Sequence, residues 1–319
     1  MLQMLVRLQR KTLERSFRRQ PGLNRSLLIA VCFLPTASAA CAVGLTPNPA
    51  ISRAPSGCHV RLVAVPGLVA PLAVFERSSL AEESDAFIRG KRSETVDPFG
   101  QVLWPAASAA AAALVDLAYS YDGVNSLGRF VVVEAGAGLG LCSFTASRLG
   151  ASRVIATDAS DEALTRVSAA AEAQQLQIEC RNWDLIAKEW EPPAGNLAPG
   201  EAAPGGALDA SGDFSGEESL ETLLVAADVL YSEELADALA LRCVQICRRG
   251  GRALVADSVG LYTRRFEDTL RTMAPDLAAT STQLVLPGWE AVAVAAADTT
   301  RRYDAEVEVL RIGGAWPCV

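Results

Sequence analysis

Apolar and polar positions alternate in blocks along most of the chain, with the lengths expected of strands and helices. Seven short apolar runs predict buried strands, at residues 130–134, 153–157, 176–180, 222–227, 252–256, 283–287 and 305–312. Most stretches between them have helical periodicity, at residues 139–149, 161–174, 233–248 and 262–273. This alternation predicts an α/β fold with a seven-strand, mostly parallel, Rossmann-like sheet and helices on both faces. A ligand would then bind at the carboxyl ends of the strands.

Three further segments lie outside this alternation. Apolar runs at residues 59–65 and 68–75, separated by a Pro-Gly pair, predict a short N-terminal hairpin. Pro105 precedes an alanine-rich helix over about residues 106–119, a position where its missing N–H is not needed. Residues 191–220 are rich in Gly, Ala, Pro and acids without periodicity, which predicts a disordered insertion between the third and fourth strands.

The first 57 residues are typical of a targeting segment rather than of a folded domain. Residues 1–26 are rich in arginine, and residues 27–34 form an apolar run too short to span a bilayer, followed by small residues. The pattern predicts a presequence over residues 1–57 and one domain over 58–319. It resembles the bipartite presequence of algal plastid proteins, with a mitochondrial presequence as the alternative. Without a presequence, the protein would be cytoplasmic.

Charge and cysteine content narrow the classes of partner. The chain has 29 basic and 37 acidic residues, of which seven basic residues and one acidic residue lie in residues 1–41. The remaining residues therefore have a net charge of −14. An acidic body disfavours nucleic acid and suits a basic partner, although it also serves solubility. With no CxxC pair and only His59 as histidine, we expect no metal site and no disulfide framework. The cysteines at 142, 180, 243 and 247 are expected to be buried free thiols.

The strongest candidate site is the turn after the first strand of the sheet. It consists of Glu134, Gly136, Ala137, Gly138 and Gly140. Glycines permit a tight turn and a close approach of the backbone to a ligand. In dinucleotide-binding enzymes the third glycine follows the second by three residues, whereas here it follows by two. The acid before the first glycine would accept from an ammonium and repel a pyrophosphate, so the pattern predicts S-adenosylmethionine.

The next two strands end in polar residues that suit an adenosine group. Asp158 ends the second strand, where its carboxylate can accept from both ribose hydroxyls, although a dinucleotide would be bound equally well. Asn182 and Trp183 follow the third strand and can hydrogen-bond and stack on adenine. A packing role is the alternative for Trp183.

Asp228 and Tyr231 close the fourth strand, the position nearest to the transferred methyl group. Methyl transfer from a sulfonium is an in-line displacement that requires a positioned nucleophile. If the acceptor is a lysine, Asp228 would orient the arriving ammonium and the Tyr231 ring would favour a cationic transition state. An isolated acid three residues before a tyrosine is common and mostly structural.

Together these residues resemble the seven-strand protein-lysine methyltransferases with an Asp-x-x-Tyr motif, the nicotinamide N-methyltransferase-like family. The resemblance runs from about residue 97 to 270. Residues 97–98 with 104–105, residues 150–153 and residues 228–239 are most similar to the electron-transfer-flavoprotein beta-subunit lysine methyltransferase branch. It implies a class I methyltransferase fold, S-adenosylmethionine as cofactor and a protein substrate that presents a lysine. It implies a lysine channel shaped by Asp228 and Tyr231, and cofactor contacts by Trp104, Gly136, Ala137, Gly138, Asp158, Trp183 and Ala227.

The chain departs from that family in two places near the substrate side. The insertion at 191–220 is long, and the segment after Asp257 matches poorly, so the substrate is the least transferable part of the resemblance. A plastid location would also separate the protein from a mitochondrial flavoprotein. A small-molecule N- or O-methyltransferase, a dinucleotide-dependent oxidoreductase and an inactive binding module remain alternatives.

Overall fold

A two-strand hairpin precedes a seven-strand sheet in the computed structural model, which describes residues 54–77, 99–120, 126–187, 220–290, 302–314 and 316. The hairpin strands are β1 (Cys58–Val63) and β2 (Leu72–Arg77). The sheet strands are β3 (Phe130–Ala135), β4 (Arg153–Asp158), β5 (Glu179–Asn182), β6 (Glu221–Ala227), β7 (Arg252–Asp257), β8 (Ala279–Glu290) and β9 (Arg302–Ile312). The helices are α1 (Pro105–Ser120), α2 (Leu141–Arg148), α3 (Asp161–Ala173), α4 (Glu233–Arg248) and α5 (Thr263–Met273), with 3-10 turns at Phe99–Gln101 and Ser126–Arg129.

The order of the strands confirms the predicted fold class. The sheet runs β5-β4-β3-β6-β7-β9-β8. The five strands from β3 to β7 are parallel, whereas β9 is antiparallel to both β7 and β8. Because β4, β3, β6 and β7 are neighbours, their carboxyl ends meet at one edge of the sheet, where a ligand binds in such folds.

Each face of the sheet is covered by its own helices. Alternate residues of β3 point to opposite faces, so Phe130 and Val132 pack with α1, α2, α3 and the hairpin, while Val131 and Val133 pack with α4 and α5. Serine caps set where two helices begin. Ser160 accepts from the Ala163 N–H at 3.3 Å before α3, and Ser232 accepts from the Leu235 N–H at 3.2 Å before α4.

The observed strands differ from the predicted ones where tertiary pairing decides their ends. The third strand, predicted at 176–180, is Glu179–Asn182, because Gln175 has a φ of 57° and the chain turns there before it reaches β4. The sixth strand, predicted at 283–287, extends over twelve residues as β8, because its polar ends pair with β9 across a bulge between Leu286 and Trp289. The hairpin forms as predicted, but its turn spans residues 64–71.

Several predictions concern residues at the limits of the described part. The presequence predicted for residues 1–57 and the insertion at 191–220 lie almost wholly outside it and stay predictions. Among the described helices, none is long and apolar enough to cross a bilayer. Of the four cysteines expected to be buried, Cys142 and Cys243 are buried, but Cys180 and Cys247 are partly exposed.

Candidate active site

The glycine turn joins β3 to α2 with a backbone that other residues could not adopt without strain. Gly136, Gly138 and Gly140 have φ values of 67°, 52° and 76°. A Cβ on Gly136 would lie 2.6 Å from Cγ1 of Val229, and a Cβ on Gly138 would lie 3.5 Å from Cα of Gly100. The turn is therefore held between the loop that follows β6 and the segment that precedes α1.

Glu134 is the penultimate residue of β3 and faces the first turn of α2. Its side chain is 2% exposed, and its carboxylate accepts from the Ser143 N–H at 2.8 Å and from the Ser143 hydroxyl at 2.5 Å. Burial raises the pKa of this carboxyl to about 7, although the Ser143 and Cys142 hydrogen bonds act in the opposite direction. In this arrangement Glu134 fixes the start of α2, and its expected contact with the cofactor ammonium stays a prediction.

Asp158 lies at the end of β4 next to the glycine turn. One carboxylate oxygen accepts from the Gly138 N–H at 2.9 Å and the other from the Ser160 N–H at 2.8 Å. An ionised carboxylate offers about four acceptor positions, so about two remain free for hydroxyl donors. The side chain is partly exposed, which suits the predicted ribose contact.

The two residues predicted to hold adenine differ in their exposure. Asn182 is exposed, and its amide donates to the Asp161 carboxylate at 2.6 Å and to the Ala159 carbonyl at 3.2 Å. Trp183 is only 8% exposed and belongs to the core on the α4 side, with the Arg242 guanidinium 5.9 Å from its ring centroid. This position corresponds to the packing alternative for Trp183, whereas its adenine contact stays a prediction.

Asp228 follows β6 in a left-handed conformation, with a φ of 54°. Its carboxylate accepts from the Ala106 N–H in the first turn of α1 at 3.1 Å, and from the N–H and hydroxyl of Ser258 at 2.7 and 2.8 Å. Loss of hydration raises the pKa of Asp228 to about 7, and the nearby Asp257 carboxylate contributes to the increase. Asp228 thereby joins the ends of β6 and β7 to the beginning of α1.

The remaining predicted residues lie close in sequence to Asp228 or to its partner Ala106. Trp104 immediately precedes α1, Ala227 ends β6, and Tyr231 lies three residues beyond Asp228; all three are partly exposed. The structure thus gathers the residues predicted at the ends of β3, β4 and β6 along one edge of the sheet.

Sequence reasoning missed the partners that hold these residues in place. Ser143 and Ser258 bind the carboxylates of Glu134 and Asp228, and neither belongs to a recognisable motif. Asp257 was also missed, although it ends β7 as Asp158 ends β4, and that repeated strand-end acid was a usable signal. Asp257 is 3% exposed and accepts from the Gly260 N–H at 2.9 Å and from the Thr263 hydroxyl.

The turn and its surroundings fit S-adenosylmethionine. Gly138 has no side chain and donates its N–H to Asp158 at 2.9 Å, and the Asp158 carboxylate retains acceptor capacity beside the turn. Asp158 could therefore accept from the ribose hydroxyls of an adenosine group next to the turn.

Part of the chain is similar to a known protein family. Residues 89–190 match the family model described as lysine methyltransferase. The match covers about a third of the chain and includes the glycine turn and Asp158, but it ends before Asp228. A search of curated proteins found no significant match.

Solved structures that match this chain include three described as methyltransferases or methylases. A provisionally assigned RNA methyltransferase from Pyrococcus horikoshii has 14% identity and a TM-score of 0.43, over 73% of this chain and 97% of that one. An O-methyltransferase from Bacillus cereus, in complex with S-adenosylhomocysteine, has 14% identity and a TM-score of 0.38, over 73% and 91%. A ribosomal protein L11 methylase from Lactobacillus delbrueckii has 20% identity and a TM-score of 0.32, over 58% and 70%.

The fold assignment follows from the strand order in this chain. A seven-strand, mostly parallel sheet with helices on both faces and a glycine turn after β3 is the arrangement predicted for a class I methyltransferase. The chain has the fold of S-adenosylmethionine-dependent methyltransferases, and its residues 89–190 match the lysine methyltransferase family.

Proposed function

We propose that the protein is an S-adenosylmethionine-dependent methyltransferase that N-methylates a lysine side chain of a protein substrate. The observation that carries the proposal is the close packing of the glycine turn against the loop after β6. Only a hydrogen atom separates Gly136 from Val229, since a Cβ there would lie 2.6 Å from the valine. Val229 directly follows Asp228, so the predicted cofactor turn and the predicted lysine carboxylate are neighbours.

The reaction requires little of the protein beyond binding and orientation. The cofactor supplies a methyl group on a positively charged sulfur, and the lysine amine must reach it in line and without its extra proton. Asp228 is suited to hold the arriving ammonium, because its carboxylate is fixed in position by Ala106 and Ser258 at the end of β6. With its pKa raised to about 7, this carboxyl changes ionisation near neutral pH.

A basic protein partner is supported by the charge of strand β9 beside the site. On β9, the side chains of Asp304, Glu306 and Glu308 alternate with buried residues and therefore lie on one face. Glu308 pairs in register with Asp257 at the end of β7. Because β9 is antiparallel to β7, Asp304 and Glu306 lie beyond the carboxyl end of β7, and complementary charge steers association.

The finer assignment, to the electron-transfer-flavoprotein beta-subunit lysine methyltransferase branch, is part of this proposal. It depends on residues 97–98 with 104–105, residues 150–153 and residues 228–239. We also propose an organellar location, plastid before mitochondrion, from the composition of residues 1–57. We propose neither a nucleic acid partner nor a resident metal.

Two successive measurements test the proposal. Calorimetry with S-adenosylhomocysteine, NAD and NADP first separates a methyltransferase from an oxidoreductase. The protein is then incubated with methyl-labelled S-adenosylmethionine and an organelle extract, and labelled proteins are hydrolysed and examined for methyl-lysine. Asp228→Asn is the matched control, because asparagine tolerates the left-handed backbone at this position.

We expect the parent protein to bind S-adenosylhomocysteine and to produce a labelled protein band that contains methyl-lysine. This band should be absent when Asp228→Asn replaces the parent. Binding of NAD or NADP without S-adenosylhomocysteine would reject the methyltransferase. Label in small molecules alone would reject the protein substrate, and cofactor binding without any transfer would indicate an inactive binding module.

A further inference from the structure

The N-terminal hairpin is connected to the candidate active site through one buried carboxylate. Glu76, in β2, is 3% exposed and receives the Leu103 N–H at 3.0 Å. Two cationic groups of β1 approach the same carboxylate: Arg61 at 3.3 Å and, when protonated, His59 at 3.3 Å. Leu103 immediately precedes Trp104, so this hydrogen bond fixes the backbone beside a predicted cofactor contact.

The rest of the segment at residues 99–104 is held in the same way. Arg77 of β2 donates to the Gln101 side chain at 3.4 Å, and Arg166 of α3 donates to the Gly100 carbonyl at 3.4 Å. Both arginines also contact Glu162, at 2.7 and 2.9 Å, which joins β2 to α3. The segment is therefore attached to α3 at Gly100 and to the hairpin at Gln101 and Leu103.

This attached segment lies directly against the glycine turn. A Cβ on Gly138 would meet Cα of Gly100 at 3.5 Å, an ordinary van der Waals contact. The position of residues 99–104 thus sets the space above the turn, and any shift of the segment would change the surface that meets the cofactor.

We propose that hairpin β1–β2 is a clamp for the cofactor site and that Glu76 is its positioning residue. The clamp holds residues 99–104 over the glycine turn through the Leu103 hydrogen bond. This inference deepens the proposed function, since it takes S-adenosylmethionine as the ligand of the turn. It assigns the hairpin a role in cofactor affinity rather than in stability alone.

The test compares two arginine-paired carboxylates, one in the hairpin and one at the amino end of β6. Glu76→Ala removes the acceptor for Leu103, whereas Glu76→Gln retains an oxygen that can accept from the same N–H. Glu221→Ala is the matched control, because Glu221 begins β6, at the opposite end of the strand from the site, and pairs with Arg252 at 2.5 Å. Calorimetry with S-adenosylhomocysteine and thermal unfolding are recorded for each full-length variant.

We expect Glu76→Ala to weaken S-adenosylhomocysteine binding about tenfold, the upper range for one lost hydrogen bond. Glu76→Gln should stay within about threefold of the parent, and Glu221→Ala within about twofold despite a lower Tm. Unchanged affinity in Glu76→Ala, or an equal loss in Glu221→Ala, would overturn the clamp. If Glu76→Ala does not fold, Arg77→Gln replaces it, with an expected loss of about threefold.

Hydrogen exchange keeps this inference separate from the proposed function. In protein without ligand, Glu76→Ala should accelerate exchange in peptides covering residues 99–104 and 136–140, whereas Glu221→Ala should not. Absence of that acceleration overturns the clamp whether or not the protein binds the cofactor. A parent protein that fails to bind S-adenosylhomocysteine rejects the proposed function, and exchange then still decides whether the hairpin positions the turn.

Discussion

Replacing Gly136 with alanine provides a direct measure of how tightly the glycine turn packs against the loop after β6. Gly136 has a φ of 67°, a conformation that costs a residue with a Cβ about 1–2 kcal/mol. The new Cβ would also lie 2.6 Å from Cγ1 of Val229, a β-branched residue that is 6% exposed and has few rotamers to move into. Overpacking of this kind adds about 1–3 kcal/mol. We therefore expect Gly136→Ala to lower the free energy of unfolding by about 2–5 kcal/mol.

Two further variants separate the backbone strain from the steric clash. Gly250 has a φ of 86° and no atom within 4 Å of a Cβ position, so Gly250→Ala has the backbone strain alone and should cost about 1–2 kcal/mol. Val229→Ala removes the methyl group that the new Cβ would meet. In the double variant Gly136→Ala/Val229→Ala, the two effects should therefore be less than additive by about 1–3 kcal/mol.

Urea denaturation measures these free energies, and calorimetry with S-adenosylhomocysteine measures the consequence for the site. Gly136→Ala should lose cofactor affinity, and the double variant should recover part of it. Equal costs for Gly136→Ala and Gly250→Ala, together with strict additivity in the double variant, would refute the steric contact between the turn and the β6 loop.

Three further outcomes follow from the site. Asp228→Asn should reduce kcat at least about 100-fold, while its affinity for S-adenosylhomocysteine stays within about threefold of the parent. Turnover by the parent should rise as pH rises through about 7, because the Asp228 carboxyl then ionises. An unchanged kcat in Asp228→Asn would exclude Asp228 from the lysine channel. Glu134 has its pKa raised from 4.5 to about 7, so the folded protein binds this proton more tightly than the unfolded chain. The free energy of unfolding should therefore fall by about 3 kcal/mol as pH rises from about 4.5 to above 7. Urea titrations should show that decline reduced in Glu134→Gln, and an equal decline in both proteins would contradict the assignment. Trp183→Ala should cost about 3–5 kcal/mol in unfolding free energy, because the ring is 8% exposed; a cost under about 0.5 kcal/mol would indicate a surface role.

Much of the sheet could be predicted from the sequence because its signals are local. The apolar runs at residues 130–134, 153–157, 222–227 and 252–256 lie in parallel strands buried on both faces, which need nearly continuous apolar sequence. The glycine turn was equally visible, because a positive φ is a requirement on the residue itself. The sequence itself thus determined the fold class and the predicted position of the cofactor turn.

The length and neighbours of the edge strands depended on tertiary pairing. The polar residues at both ends of β8 have no strand pattern of their own, yet they pair with β9 along its whole length. Chain order also gave no reason for β9 to lie between β7 and β8. Strand pairing is a contact between distant segments, and each strand alone carries only part of that information.

The chemistry of the site was divided in the same way. The sequence identified Asp158 and Asp228 as strand-end acids, but only the folded chain attaches Asp228 to the Ala106 N–H, 122 residues away in sequence. Only the folded chain also removes its carboxyl from water beside Asp257, which raises its pKa. The tertiary structure also places Trp183 in the core and joins Glu76 to Leu103. Burial and long-range hydrogen bonds are properties of the assembled structure, so the identities of these residues came from the sequence and their environments from the fold.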